Sequence, residues 1–470
     1  MPLILPSNSI SAGGYEVANS LRFNDDSSDY LNKTYGSAGN RKTWTFSAWL
    51  KLSSGAGNTI FSSYQDGNNW TDFYFSGSEK FEFVSYASGY LINFTSSQRF
   101  RDYSAWYHIV LAFDTTQATA SNRIKFYVNG SQVTALDNNT YPTQNSDHKI
   151  NSTDPHTLGL SQTNTAISYD GYMAEVCFID GSQLDPTSFG EFDEDTGIWK
   201  PIDVSELTFG TNGFYLDFEN SGSLGADVSG NGNNFTVNNL TSVDQSTDTP
   251  TNNYCTLNPL DPTADITLSE GNLKGVYGTS ATRDVQGSTF GVSSGKWYWE
   301  IKIGGATDPN NAIVGITKVS SDTSIVLGNT DNNWGYRGYD GKVFHNGADE
   351  GGSLSTFTSG DIIGIAINLD NLQGSSHKLY FSKNGVWQNG ADPEDFTSTS
   401  GVYGIDDNVD FFPAISDAGS SATPQFEMNF GSPSFSISSG NTDGNGYGNF
   451  EYAVPNGFYA LNTKNLAEYG

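Results

Sequence analysis

Two short segments combine aromatic rings with amides and charges, the side-chain types that hold a sugar. Residues 65–70 read Gln-Asp-Gly-Asn-Asn-Trp, and residues 329–340 read Asn-Thr-Asp-Asn-Asn-Trp-Gly-Tyr-Arg-Gly-Tyr-Asp. Sugars present flat C–H faces that stack on aromatic rings, while polar side chains fix the positions of their hydroxyl groups. The candidate ligand-binding residues are therefore Trp70, Trp334, Tyr336, Arg337 and Tyr339.

Clusters of carboxylate and amide oxygens indicate a second chemistry, the binding of calcium. Residues 24–29 supply Asp25, Asp26 and Asp29, and Asp227 opens a second cluster with oxygens at alternate positions. Oxygen ligands of this kind hold Ca²⁺ in proteins. The alternative is that the same side chains close Asx turns. Calcium is the cofactor that these residues leave open.

Glycoside hydrolysis would need two carboxylates placed across the scissile bond. The local candidate is Glu-Phe-Asp-Glu-Asp at 191–195, but turn residues flank it and no apolar alternation surrounds it, which favours a solvated loop. The chain has no nucleophile elbow, phosphate loop or zinc-protease helix motif. We assign no catalytic residue and expect a protein that is not an enzyme.

Alternating hydrophobicity predicts the strands that would position these residues. In residues 43–52 one face carries Trp44, Phe46, Ala48, Leu50 and Leu52, and the other carries Thr45, Ser47, Trp49 and Lys51. Similar strands recur along the chain, whereas apolar residues at helical spacing are nearly absent. The fold class is predicted to be all-β, with antiparallel β-sandwiches.

A repeated hairpin predicts two domains of one architecture in series. Residues 109–130 and 362–385 each contain an apolar strand, a polar turn, a second strand and a final Asn-Gly, a dipeptide that suits tight hairpin turns. A Trp-rich strand precedes each copy. The predicted organisation is an arm at 1–18, a sandwich at 19–199, a connecting hairpin and linker at 200–256, a second sandwich at 257–436, and a loop and strand at 437–470.

Charge and composition exclude several classes of partner. The 470 residues carry 22 Lys and Arg against 52 Asp and Glu, a formal net charge of −30, which disfavours nucleic acid. No apolar run is long enough to insert into a membrane. The first residues lack the basic region of a signal peptide, so none is expected. Cys177 and Cys255 make no disulfide or metal pattern.

Several motifs carry a family resemblance. The first domain resembles the laminin-G-like branch of the concanavalin-A-like lectin/glucanase fold through residues 20–23, 44–49, 106–110, 124–130 and 170–176. The second resembles a SPRY domain through residues 295–300, 314–316, 334–336, 360–364, 379–385 and 412–415. The resemblance implies two concanavalin-A-like jelly-roll sandwiches in tandem. It also implies an alternative for Trp334 and Tyr336, which would pack inside the SPRY core.

The pairing of these two domains resembles structural proteins of marine tailed bacteriophages. That resemblance implies a virion protein exposed on the particle, as a tail-fibre or adhesin component that binds host-surface glycan. Its partners would be other virion proteins and further copies of itself in a homo-oligomer. Two alternatives stay open: a capsid-decorating or other assembly protein without receptor binding, and a secreted glycan hydrolase.

Overall fold

Both halves of the molecule are built almost entirely from β-strands, which confirms the predicted fold class. The computed structural model describes residues 14–55, 57–163, 167–260, 265–279, 284–305, 307–319, 321–322, 325–370, 377–405, 409–419 and 422–470. The chain divides into two compact units, one ending at Thr251 and the other continuing from Asn252. No helix among the described residues is long and apolar enough to cross a membrane.

The first unit contains strands β1 to β18. In chain order they are Ser20–Phe23, Tyr30–Thr34, Thr43–Leu52, Asn58–Asp66, Asn69–Phe75, Lys80–Ala87, Tyr90–Arg99, Tyr107–Asp114, Ile124–Val128, Ser131–Gln132, Leu136–Thr140, Pro155–Leu158, Gly171–Asp180, Gly190–Phe192, Trp199–Pro201, Phe214–Leu216, Thr236–Asn238 and Gln245–Ser246.

The second unit contains strands β19 to β34 and one helix, α1. The strands are Ile266–Ser269, Lys274–Tyr277, Val285–Gly287, Lys296–Gly304, Ala312–Thr317, Ser321–Asp322, Asn333–Arg337, Val343–His345, Ala348–Asp349, Ile362–Asn368, His377–Lys383, Val386–Trp387, Tyr403–Ile405, Phe412–Asp417, Gln425–Asn429 and Tyr459–Ala460. Helix α1 spans Thr463–Tyr469. Short 3-10 turns lie at Asp25–Ser27, Ala120–Asn122, Pro186–Ser188, Ser242–Asp244, Pro309–Asn311 and Gln388–Gly390.

Two eight-stranded sheets form the first sandwich. The first sheet has the order β10-β9-β8-β3-β13-β1-β18, with β16 also beside β13, and the second has the order β11-β7-β6-β5-β4-β12-β2-β17. Aromatic rings fill the space between them. Trp44 meets Phe83 edge-on at 6.0 Å between ring centroids, and Phe46 meets Phe73 at 4.9 Å. Such pairs give a dense core from few aliphatic residues.

The second sandwich has a nine-stranded and a seven-stranded sheet. The longer sheet runs β19-β20-β33-β22-β28-β29-β30, with β31 on β29 and β34 on β22, and the shorter runs β24-β21-β32-β23-β25-β26-β27. Trp297, Trp299 and Ile301 of β22 face the core between these sheets, and each is at most 1% exposed. Tyr298, which lies between Trp297 and Trp299 along the strand, packs in a separate cluster. Strand β22 therefore shows the alternation expected of a strand.

The two Asn-Gly turns have the same geometry, as predicted from the repeated hairpin. Asn129 and Asn384 have φ of 46° and 48°, and the glycine that follows each has φ of 77°. The Asn129 side chain accepts a hydrogen bond from the His108 backbone N–H at 2.8 Å, and Asn384 accepts from the Ile362 N–H at 2.9 Å. Each asparagine side chain therefore ties its turn to the neighbouring strand of the sheet, β8 for Asn129 and β28 for Asn384.

Residues 200–251 complete the first sandwich instead of forming a separate connector. Strand β16 pairs with β13, β17 with β2, and β18 with β1. Strand β13 is apolar on both faces, so its outer face at Cys177 and Ile179 needs a cover, which Phe209 and Tyr215 provide. The unit boundary therefore lies at residue 251 and not at 199 or 256.

A buried ion pair holds the end of this segment against the first sheet. The Lys51 ammonium lies 2.6 Å from the Asp248 carboxylate, and both side chains are 2% exposed. The Trp106 indole N–H donates to the other oxygen of Asp248 at 3.0 Å. The polar stretch around Asp248, which the sequence suggests is a linker, is thus part of the packed unit.

Residues 437–470 close the outer face of the second unit. Phe450 and Phe458 pack with Tyr298 and Tyr380 of the longer sheet. The buried Glu300 carboxylate accepts hydrogen bonds from two backbone N–H groups of this segment, at 2.8 and 2.9 Å. Strand β34 runs parallel to β22, whereas β16 runs antiparallel to β13. Residues 213–215 and 457–459 both read Gly-Phe-Tyr, but they therefore do not form equivalent strands.

The predicted arm is packed against the first unit in its described part. Residues 1–13 lie outside the described residues. Val17 is 5% exposed, and its N–H donates to the Thr251 hydroxyl at 3.0 Å. Residues 14–18 therefore belong to the first sandwich.

Candidate functional site

Four aromatic residues line up across the second sheet of the first unit. Tyr64 of β4 is paired with Trp70 of β5, Trp70 with Tyr86 of β6, and Tyr86 with Tyr90 of β7. We call these four residues the aromatic row. The Trp70 and Tyr86 rings are nearly parallel, with centroids 5.7 Å apart, and Tyr90 meets Tyr86 edge-on at 5.4 Å. The structure thus places Trp70, a predicted site residue, between two tyrosines in a row of four aromatic residues.

Strand alternation places the aromatic row on the outer face of the sheet. The residues next to it, Thr71 and Ser85, point inward, where their buried hydroxyls hydrogen-bond to each other at 2.9 Å. A bulge between β6 and β7 brings Tyr90 opposite Tyr86. Tyr90 is 64% exposed and the next residue, Leu91, is 42% exposed. The row is therefore open to solvent at the β7 end.

The next row of the same face is covered by a loop. Asp72 is 2% exposed, and its carboxylate accepts hydrogen bonds from Ser62 at 2.6 Å, Ser161 at 2.8 Å and Thr163 at 3.2 Å. Burial raises the pKa of Asp72, and the three hydroxyl donors oppose that shift. Ser161 and Thr163 cover Asp72, so they border the aromatic row along one side.

Polar side chains of the β4–β5 turn border the aromatic row on the side opposite Asp72. The Asp66 carboxylate accepts from the Asn68 backbone N–H at 2.8 Å and from the Asn69 side-chain amide at 3.0 Å. The Asn68 hydrogen bond lowers the pKa of Asp66. Rings bordered by amides and hydroxyls are the arrangement that sugar binding requires.

Two of the predicted site residues in the second unit are buried. Trp334 is 1% exposed and stacks on His345, with ring centroids 3.9 Å apart, and Tyr336 is fully buried beside Phe357 and Phe381. A bound sugar cannot reach either ring. The packing alternative holds, because the apolar face of β25 points into the core.

Arg337 and Tyr339 form a separate surface feature. The Arg337 guanidinium lies 3.6 Å from the Phe344 ring centroid and 5.0 Å from that of Tyr339, and it pairs with Asp340. Tyr339 is 43% exposed. A stacked arginine beside an exposed tyrosine can contact a partner, but its charge is already paired.

The predicted calcium ligands hold backbone turns. Asp29 is 3% exposed, and its two oxygens accept from the Asn24 N–H at 3.1 Å and the Ser27 hydroxyl at 2.8 Å, whereas Asp25 and Asp26 lie on the surface. Asp227 accepts from three backbone N–H groups, at 2.7 to 3.0 Å. The described residues contain no group of three His, Cys, Asp or Glu placed to hold a metal ion. These side chains do not fit a calcium site, and they fit the alternative of Asx turns.

The carboxylates at 191–195 lie on the β14–β15 hairpin, where the sequence suggests a solvated loop. Lys200 pairs with Glu191 at 3.4 Å and with Asp193 at 3.1 Å. The Thr196 backbone N–H, followed by Lys200, lowers the pKa of Asp193 to about 2. A glycosidase acid needs a raised pKa, so the Asp193 environment does not favour that role.

One buried carboxylate of the first unit was not identified from the sequence. Glu175 has φ of 50° at a bulge in β13 and is 6% exposed. The Tyr215 and Tyr15 hydroxyls donate to the same oxygen, at 2.7 and 3.1 Å. Burial raises the pKa of Glu175 to about 7. No periodic pattern predicts a bulge, so this cluster could not be predicted from the sequence.

Two family models match the chain, one in each unit. Residues 25–183 match the concanavalin A-like lectin/glucanases superfamily, and residues 296–432 match the SPRY domain. The chain therefore contains a lectin/glucanase-like and a SPRY sandwich, an architecture of carbohydrate-binding or protein-interaction proteins. No curated protein sequence matches the chain.

Solved structures with a similar fold include the SPRY domain of human HERC1, at 21% sequence identity and a TM-score of 0.29, over 37% of this chain and 96% of that one. A heptameric SAP-like pentraxin from Limulus polyphemus has 18% identity and a TM-score of 0.26, over 37% and 76% of the two chains. Domain 4 of the GH43 extracellular arabinanase AbnA from Geobacillus stearothermophilus, in complex with arabinotriose, has 17% identity and a TM-score of 0.25, over 31% and 64%.

Proposed function

We propose that this protein is an exposed component of a bacteriophage particle, of the tail-fibre or adhesin class, that binds host-surface glycan through the aromatic row. The observation that carries the proposal is the row itself. Four rings from four adjacent strands share one outer face, and the strand pairing of the sheet sets their spacing. Preorganised rings lose little conformational freedom on binding, which favours affinity.

The particle context is supported by the sequence resemblance of the domain pair to phage structural proteins and by the net charge of −30. A shallow outer face gives weak single contacts. Several copies on one particle would convert weak sites into strong attachment, because each further contact is intramolecular. A closed homo-oligomer would supply those copies.

A glycan array probed with the full chain tests the binding step. Trp70→Ala and Tyr86→Ala should each weaken binding to any positive glycan about tenfold, which corresponds to the loss of one stacking contact. Phe192→Ala is the matched control, because Phe192 is 53% exposed on a different hairpin. Equal binding by all three variants and the parent would reject the aromatic row as the site.

Purified phage particles test the location. Antibody against the full chain should label the tail in electron micrographs. Labelling of the capsid alone, together with a negative array, would favour the capsid-decorating alternative. Release of reducing sugar that Glu191→Gln abolishes would favour the hydrolase alternative.

A further inference from the structure

We infer that the aromatic row takes an uncharged glycan chain lying across the strands, and that it does not select a single terminal sugar or an acidic glycan. This inference rests on the proposed function and specifies its ligand class. It follows from three features of the outer face: the direction of the row, its open end and the charges around it.

The direction of the row favours an extended ligand. The rings follow one another across the strands, from β4 to β7. The centroids of the Trp70 and Tyr86 rings are 5.7 Å apart, and those of the Tyr86 and Tyr90 rings are 5.4 Å apart. These steps are comparable to the length of one pyranose residue. A chain that runs along the row can therefore stack on the Trp70 and Tyr86 rings in succession and then contact Tyr90, whose ring is turned 78° from that of Tyr86. A terminal sugar would use one ring.

The borders of the row leave that path open. Ser161 and Thr163 cover Asp72 along one side of the row, and they do not lie across the end of the row. At the β7 end, Tyr90 and Leu91 are 64% and 42% exposed. A chain can therefore continue past Tyr90 into solvent, which a closed pocket would prevent.

The charges on this face disfavour acidic sugars. Glu82 lies on the outer face of β6 and accepts a hydrogen bond from Tyr74 at 2.9 Å, and Asp66 lies at the turn end. The basic residues on this side are already engaged. Lys80 pairs with Asp137, Lys149 lies 3.1 Å from Asp154, and Arg99 and Arg101 share Glu79. An added carboxylate or sulfate would meet net negative charge, which costs affinity at low salt.

Calorimetric titration of the full chain with two oligosaccharide series tests the inference. The neutral series comprises cello-, malto- and laminari-oligosaccharides from disaccharide to octasaccharide, and the acidic series comprises oligogalacturonates of the same lengths. We expect one neutral linkage to gain about tenfold in affinity from disaccharide to tetrasaccharide and then level off, and the acidic series to bind about tenfold more weakly.

Two variants connect the outcome to the row. Tyr90→Ala should reduce the gain in affinity with chain length, because it removes the ring at the open end of the row. Glu82→Lys should raise affinity for oligogalacturonate, whereas Glu350→Lys, an equal charge change on an exposed residue of the second unit, should not.

Each contrary result has a distinct meaning. Tighter binding of oligogalacturonates that weakens with salt would overturn the uncharged class and retain glycan binding. Affinity that is constant from disaccharide to octasaccharide would overturn the extended path. Binding of neither series, with a negative glycan array, would overturn this inference and the proposed function together.

Discussion

At the scale of single residues, the face of the strand decides which candidate can bind. Trp70 and Trp334 both follow two asparagines in the sequence. Trp70 lies on the outer face among other rings, whereas Trp334 stacks on His345 in the core at 1% exposure. Polar residues surround both tryptophans along the chain, so alternation could not assign a face to either. Residue type predicted Trp70 as a candidate, and only the strand register identified Tyr86 and Tyr90.

The Glu175 cluster predicts that the first unit loses stability as the pH rises. Burial raises the folded-state pKa of Glu175 from 4.5 to about 7, so the folded state binds the proton more tightly than the unfolded state. The stabilising effect is complete below pH 4.5 and is lost as the pH rises through about 7. A shift of this size corresponds to about 3 kcal/mol.

Urea unfolding of the parent and of Glu175→Gln, at pH 5 and pH 8, measures this effect. The parent should lose more stability between the two pH values than the variant, whose amide does not titrate. Equal losses in the two proteins would show that Glu175 is not the group responsible.

The turn role of Asp227 predicts a stability effect that is independent of calcium. Asp227→Ala removes an acceptor from three backbone N–H groups and should lower stability by about 1–3 kcal/mol. Thermal melts of the parent should coincide in calcium chloride and in EDTA. A rise in melting temperature with calcium that Asp227→Ala abolishes would restore the metal-site hypothesis.

At the scale of elements, the sequence predicted the hairpins well because their turns are determined locally. Asn129 and Asn384 need positive φ, and the following glycine allows the tight turn. The pairing of β16, β17 and β18 with distant strands was not predicted, because these strands are two or three residues long and show little alternation. Their place depends on the outer face of β13, which is apolar only once the sheet has formed.

The paired turns predict equal effects of equal substitutions. Asn129→Ala and Asn384→Ala each lose a side-chain hydrogen bond. They also place alanine, which tolerates the left-handed conformation less well than asparagine, at positive φ, so each should cost about 1–2 kcal/mol. Asn→Gly at the same positions keeps the backbone conformation and should cost less. Urea melts of the four variants measure these differences, and a glycine variant less stable than its alanine counterpart would contradict the turn geometry.

At the scale of the whole molecule, the account requires that residues 200–251 belong to the first unit. A fragment of residues 14–251 should unfold cooperatively, whereas a fragment ending at residue 199 should lack the Asp248 partner of Lys51 and leave the outer face of β13 exposed. Circular dichroism melts of both fragments measure this difference. A cooperative transition in the shorter fragment would contradict the assignment.

The sequence predicted the number and kind of sandwiches because alternation and tandem motifs are visible in one dimension. The aromatic row could not be predicted in the same way, because it depends on the register between neighbouring strands. Bulges between β4 and β5 and between β6 and β7 determine that register. The charge of −30 predicts that the ligand is not nucleic acid, and this hypothesis stays a prediction.

Hydrogen–deuterium exchange of the full chain tests whether the aromatic row is the glycan site. It is measured with and without a saturating concentration of a glycan that is positive on the array. With glycan bound, we expect slower exchange within residues 64–91, which contain the aromatic row, and unchanged exchange in residues 337–344 of the second unit. Protection at 337–344 with none at 64–91 would contradict it.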